Sequence, residues 1–352
     1  MKRNPKILII NTGSTTTKIA LFQGDDVIFN TKISHTATDL QKIISFDEQV
    51  EFRKKIIENI LKKNKIPLDQ IDMLMCRGGL IKPVKSGVYQ VNGKMVSDLK
   101  NASKQHASNL SAVIGYQMAQ NIIPVYIADP VVVDEMQEIA RYSGHRLFQR
   151  ISIFHALNHK AVARKHAGLT GNNYEDVNLI VAHLGGGISV AAHRNGQVVD
   201  VNQALDGEGP FSPERSGTLP AGDLVRLSFS GKYTKEEVLQ MIVGKGGLIS
   251  YLGSNNLQEI EANLNKENQK ILKAMAYQIA KNIGEMAVVL EGKIDAILLT
   301  GGVAHSGFIT AEIIKQVKFL APVYIYPGED EMKALAFNGF LVWQNKLKPK
   351  NY

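Results

Sequence analysis

A single cysteine, Cys76, occurs in 352 residues. No disulfide framework can form within the chain, which fits a reducing compartment, the cytoplasm. No apolar run approaches the roughly 18 residues of a membrane helix, so a membrane is not an expected partner. The first stretch, MKRNPKILIINTGST, is basic, but its apolar run is too short for a secretory signal. An arginine-rich arm is missing too, as is a basic patch interleaved with aromatics. The net charge of +8 comes from lysines scattered along polar faces, as in FRKKIIENILKKNK at 52–65. Nucleic acid is therefore not expected, whereas a positive balance suits small anionic ligands. What is present, 44% hydrophobic and 21% charged residues, is ordinary for a globular protein. The length predicts two domains.

The chain repeats itself. ILIINTGSTTTKIALFQGDDV (7–27) resembles LIVAHLGGGISVAAHRNGQVV (179–199), and a shift of 172 sets Gly13 on Gly185, Gly24 on Gly196 and Val27 on Val199. Both copies read as strand, glycine-containing turn, strand, turn, strand, and Asn195-Gly196 is a hairpin signal. IDMLMCRGGL (71–80) resembles IDAILLTGGV (294–303), each a buried strand running into a Gly-Gly loop. PVYI occurs at 124–127 and at 322–325. Three echoes in one order indicate a duplicated domain. Between them, 48–63 sets Phe52, Ile56, Ile57, Ile60 and Leu61 on one helical face. Residues 105–121, 155–166 and 257–290 also read as helical. The fold class is α/β with a mixed sheet in each half. Ligands of such folds sit at the loop ends of the strands, in the crevice between domains.

NTGSTTTK (11–18) gathers four consecutive hydroxyl side chains between a glycine and a lysine. One reading is a phosphate-binding turn, with backbone N–H groups, hydroxyls and Lys18 facing an anion. The other is a polar hairpin whose threonines merely suit a strand. The segment is not the G-x-x-x-x-G-K-[ST] loop, which runs from strand to helix. HLGGGIS (183–189) places Gly185, Gly186 and Gly187 at the equivalent turn. Three glycines weaken a strand, so close backbone approach is expected there. Two such loops would grip the phosphates of ATP, and Gly301-Gly302 is a candidate contact on the adenosine side.

Together these segments resemble the acetate kinase/sugar kinase/heat-shock protein 70/actin superfamily. SIFHALNHKAVAR (152–164) and DGEGPFSPERSGTLPAGDL (206–224), with RGGLIKPV (77–84) and the long segment 183–217, resemble the acetokinase family across essentially the whole chain. Within that family the resemblance is to the branch that takes butyrate and branched-chain fatty acids. It implies two ribonuclease-H-like domains around a nucleotide cleft. It also implies reversible phosphoryl transfer from Mg²⁺-ATP to a short-chain or branched-chain carboxylate, giving an acyl phosphate and ADP. Self-association into dimers or larger homo-oligomers is implied as well.

By the same resemblance Asn11, Ser14, Thr16, Lys18 and His183 face the phosphates, and His155 lies near the transferred group. Arg215, in Arg-Ser-Gly, and Arg77 are the implied catalytic arginines. Acetate kinases carry His-Gly-Gly where this chain has Arg77-Gly78-Gly79, and Gly-Asn-Gly where it has Gly185-Gly186-Gly187. Asp129 and Glu331 are the implied carboxylates at the metal, with Asp330 the alternative to Glu331. Outside the family an Asp before Pro is a turn former, an acid in a first helical turn offsets the helix dipole, and a lone buried His is structural. The expected first domain covers 1–150 plus about 331–352, and the second covers 151–330. An acetate or propionate kinase is the alternative within the class. An actin- or heat-shock-protein-like ATPase is the alternative outside it.

Overall fold

The computed structural model describes residues 3–36, 43, 45–102, 106–120 and 122–352. They divide into two compact units: the chain up to Val133 together with Asp330–Tyr352, and Asp134–Glu329. The first boundary falls ahead of residue 150 because 134–150 is tied to the second unit. There the Gln137 N–H donates to Val199 O, and Arg150 pairs with Asp200 at 3.0 Å. Asp330, expected in the second domain, groups with the first unit.

The sheet of the first unit contains β1 (Lys6–Thr12), β2 (Thr16–Gln23), β3 (Asp26–Ser34), β4 (Met73–Arg77), β5 (Val88–Gln90) and β6 (Val125–Ala128). Their order is β3-β2-β1-β4-β6-β5. The second unit contains β7 (Leu179–Leu184), β8 (Ile188–Arg194), β9 (Gln197–Val201), β10 (Ala296–Gly301) and β11 (Val323–Pro327), ordered β11-β10-β7-β8-β9. Without β5 the two orders are the same. In each, the first three strands form an antiparallel meander and the other two add in parallel.

The register repeats as well. Ile7 pairs with Met73 and Leu74 with Val125; at the corresponding places Leu179 pairs with Ala296 and Ile297 with Val323. All three sequence echoes fall on equivalent strands. The shift of 172 holds only up to the first hairpin. Thr12 pairs with Thr17 across its turn, but Leu184 pairs with Ile188, so the second turn is one residue shorter. Beyond it Gly24 corresponds to Asn195 and Val27 to Val198, one place from where the sequence comparison set them. The matched glycines belong to turns that bend at different positions: Asn195 and Gly196 both have positive φ, whereas Gly24 does so alone with Asp25 after it.

Alternation along the strands sorts the core. Leu8 and Ile10 of β1 face the core beneath helices Phe46–Lys63 and Ser108–Ala119. Ile7, Ile9 and Asn11 therefore face the opposite side, where helix Glu331–Trp343 packs on β1 and β4. In the second unit Ile180, Ala182 and Leu184 face helices Lys266–Val289 and Gly307–Val317. Leu179 and Val181, and with them His183, face helix Ala156–Leu169.

A capping box, Ser45 with Glu48, starts the first of these helices. Its buried face is Val50, Arg53, Ile57 and Leu61, so an arginine lies within the stripe expected to be apolar. The helix expected over 105–121 runs 108–119; positions 105 and 121 lie outside the described residues. The one expected over 257–290 is two, Leu257–Ala262 and Lys266–Val289. The break falls at Asn263–Asn265, where the Asn265 side chain accepts from the Asn268 N–H and caps a new helix.

Candidate active site

In the first unit three of the expected residues meet. Asn11 lies one residue from the end of β1, on the face covered by helix Glu331–Trp343. Its Nδ2 donates to Glu331 Oε2 at 2.6 Å. Arg77, at the end of the neighbouring strand β4, places Nη2 3.4 Å from Glu331 Oε1 and Nη1 3.5 Å from Asn11 Oδ1. Glu331 is buried, whereas the Asp330 side chain is exposed and pairs with Lys333 at 3.1 Å. Of the two acids, then, Glu331 joins this cluster.

Asp129, buried at the end of β6, has φ +38, a backbone region Asp and Asn enter more readily than most residues. Its Oδ1 accepts from Ser86 Oγ at 2.6 Å and the Gly87 N–H at 2.8 Å. Ser14 is exposed, and Thr16 and Lys18 are half-buried, at the β1–β2 turn. Among the described residues no group of three or more His, Cys, Asp or Glu gathers as a metal cluster.

The second unit repeats the arrangement with different chemistry. His183 is the last but one residue of β7 as Asn11 is of β1, and the start of helix Ala156–Leu169 stands where Glu331 stands in the first unit. His155 precedes that helix and stacks on His183, with ring centroids 3.8 Å apart. His183 Nδ1 lies 2.9 Å from Asn158 Oδ1. Its Nε2 lies 3.0 Å from Glu329 Oε1 but off the angle of a hydrogen bond. Asn158 and Glu329 did not emerge from the sequence. The signal for Asn158 was its spacing: His155, Asn158 and His159 lie three and four positions apart, on one helical face. Only Asp330 separates in sequence Glu329, which faces His183, from Glu331, which holds Asn11 and Arg77.

Behind this pair lies a buried histidine row. Ser189 Oγ is shared by His155 Nδ1 at 3.0 Å and His159 Nε2 at 2.8 Å. His159 Nδ1 is 3.3 Å from His193 Nε2, and His193 Nδ1 is 2.7 Å from the Tyr174 hydroxyl. Burial, helped by neighbouring positive groups, pushes His159 and His193 well below the usual imidazole value. Both stay neutral in the folded protein, while the unfolded chain takes up their protons near pH 6.5. The unfolded state therefore binds more protons below that pH, and stability falls as pH drops. The expected loss between pH 6.5 and 5.5 is about 2 kcal/mol for the pair. Urea midpoints across that range check it; a flat profile would mean these imidazoles titrate alike in both states.

Each glycine of the second turn makes room for a side chain of this same unit. A Cβ on Gly185 would meet His183 Nε2 at 2.9 Å and Glu329 Oε1 at 3.2 Å. One on Gly186 would meet Glu214 Oε1 at 3.0 Å, and one on Gly187 would overlap the Arg215 guanidinium. Arg215 Nη1 donates to Ala204 O at 2.5 Å, and the buried Nε makes no hydrogen bond. Burial lowers the Arg215 pKa, against the pull of the neighbouring carboxylates Glu214 and Asp206. Gly301, φ +91, ends β10 against the Leu184 backbone and exchanges two backbone hydrogen bonds with Gly328. Gly302 borders open space.

The chain matches the acetokinase family over residues 6–327. It belongs to that family. Acetokinase relatives of high similarity include butyrate kinase 2 of Clostridium acetobutylicum, 50% identical and covering 99% of each chain. A probable butyrate kinase of Listeria monocytogenes serotype 4a is 52% identical and covers 98% of this chain and 99% of its own. Among solved structures, acetate kinase of Porphyromonas gingivalis has a TM-score of 0.79 at 20% identity, over 96% of this chain and 100% of its own. A propionate kinase of Francisella tularensis gives 0.72 at 19%, over 95% and 98%. These last two establish a shared fold: two α/β domains of the acetokinase type.

Proposed function

We propose that this acetokinase-family chain phosphorylates a short-chain fatty acid from ATP: butyrate + ATP = butyryl phosphate + ADP, reversibly and by direct in-line transfer. Full-length identity of about half to relatives named butyrate kinases supports the acid. Identity of about a fifth to the acetate and propionate kinases leaves those acids as weaker readings. The observation that carries the chemistry is Arg215, a half-buried arginine beside the glycine turn whose buried Nε is unbonded and whose guanidinium makes no described ion pair, with Glu214 and Asp206 in its surroundings.

The reaction asks little of proton transfer. A short fatty acid ionises at about pH 4 to 5, like a glutamate side chain, so at neutral pH it is already the nucleophile. No general base is needed. The difficulty is holding two anions together while charge spreads over the transferring group. Arg215 suits that role, since a planar guanidinium can span a carboxylate and a phosphoryl oxygen. His155, stacked on His183 and tied through Ser189, supplies an oriented ring nitrogen nearby. Arg77 and Asn11 supply donors at the end of β1, held by Glu331. Ser14, Thr16 and Lys18 supply hydroxyls and a charge at the first turn.

Asp129 and Glu331 offer oxygen donors only, which suits Mg²⁺, an ion that keeps several waters and takes phosphate oxygens. When bound, that ion would neutralise phosphate charge. Asp129→Asn is expected to raise the Mg²⁺ concentration for half-maximal rate about tenfold; an unaltered titration would leave Asp129 a turn residue. Without a membrane-crossing helix among the described residues and with its one cysteine buried and free, the chain is proposed to work in the cytoplasm.

The test is a hydroxylamine trap with Mg²⁺-ATP and acetate, propionate, butyrate, isobutyrate and isovalerate in parallel. Strong hydroxamate from four- and five-carbon acids and little from acetate is expected. Because one methylene separates acids by only about 1–3 kcal/mol, neighbouring acids will overlap. Strong hydroxamate from acetate alone would overturn the choice of acid.

A further inference from the structure

Arg53 has a place in the fold that its sequence position conceals. It lies mid-helix in a lysine-rich segment, yet it is 1% exposed. Its guanidinium reaches the β1–β2 turn from behind: Nη2 donates to Ser14 O at 3.0 Å, and Nη1 donates to Thr16 O at 2.7 Å and to Thr17 Oγ1 at 2.9 Å. The same hydroxyl is 2.8 Å from His35 Nε2, and the His35 N–H donates to Thr15 O at 2.8 Å. Gln49 supports Arg53 Nε at 3.4 Å. No described carboxylate pairs with this buried cation, and burial pushes its pKa down to about 10.

Two consequences follow from elementary chemistry. A trans peptide points its C=O and the next N–H to opposite sides. With Ser14 C=O drawn towards Arg53, the Thr15 N–H turns away from it. With Thr15 C=O drawn towards His35, the Thr16 N–H turns away in the same sense relative to His35. The second consequence is electrostatic. A desolvated cation is costly unless an anion offsets it, and the described protein brings none. A phosphate chain seated on the turn would supply that anion.

We infer that Arg53 is the positioning residue of the first phosphate turn, holding its carbonyls inward and lending its positive charge to the phosphates of the bound nucleotide. The inference rests on the kinase reading above but is tested by ATP binding, which does not depend on which acid is phosphorylated. Arg53→Lys keeps a charge but loses the fork that spans two carbonyls. Its Kd for Mg²⁺-ATP, by calorimetry, is expected to rise about tenfold to a hundredfold, with KM for butyrate unchanged. Arg53→Ala is expected to lose as much or more, and to regain ATP affinity when guanidinium is added at millimolar concentration. A purely packing role would lower the melting temperature while leaving the Kd of the folded protein alone. If neither variant folds, amide exchange of the wild-type protein decides. ATP should increase protection in 11–23 and 46–63 together; protection of the hairpin alone would overturn the inference. Folded variants with wild-type Kd would overturn it as well. Loss of acyl phosphate formation in the wild type, with ATP still bound, would instead overturn the reaction proposed above.

Discussion

Arg215→Ala should lower kcat by about a thousandfold or more, the range lost when an arginine that stabilises a transferring phosphoryl group is removed. ATP should still bind, because the loss falls on charge that develops only in the transition state. The structural cost should be modest. Arg215 makes one side-chain hydrogen bond, to Ala204 O, worth about 1 kcal/mol net, so the variant should fold. Arg215→Lys should recover little, since an ammonium cannot span two oxyanions. Rapid-quench turnover beside calorimetric ATP binding separates the two effects. Unchanged turnover in the Ala variant would remove Arg215 from the chemistry.

Gly187→Ala should reproduce much of that defect without touching the arginine. The added methyl would occupy the place of the Arg215 guanidinium, which would have to swing aside. Displacement by about an ångström at a reacting centre can cost about a hundredfold in rate. The double variant should then be little worse than Arg215→Ala alone, since both changes act on one group. The glycine would have another purpose if a nucleotide approached its backbone directly. In that case Gly187→Ala would weaken ATP binding in the Arg215→Ala background too. The cycle distinguishes these two origins of the glycine run.

That distinction marks where the sequence was legible. The duplication was plain because hydrophobic strands and Gly-Gly loops keep their spacing, and all three echoes lie on equivalent strands. The one-residue difference between the two hairpin turns was hidden, because glycines in both turns matched at the wrong offset. The three glycines signalled crowding, but sequence does not name the crowding partner; His183, Glu329, Glu214 and Arg215 supply it. Asn11, Arg77 and Glu331 were candidates separately, and only the return of the last helix to β1 makes them one cluster. Arg53 escaped because a charged residue followed by two lysines reads as solvated, and most of its acceptors are backbone carbonyls, which leave no trace in side-chain identity. The histidine row was half visible in the spacing of His155 and His159; Ser189 and His193 joined it through the pairing of β7 with β8.

In the proposed transfer a carboxylate oxygen attacks phosphorus. This attack is tested most directly with butyrate labelled with ¹⁸O in both carboxylate positions, Mg²⁺-ATP and hydroxylamine. Attack through oxygen makes a butyryl phosphate whose bridging atom is labelled, and hydroxylamine then releases it at the carbonyl carbon. Butyryl hydroxamate is expected and, in equal amount, inorganic phosphate carrying one ¹⁸O, read by ³¹P NMR. Unlabelled phosphate with no hydroxamate would show that water is the acceptor. That result would overturn the carboxylate kinase reading and favour an ATPase of the actin type.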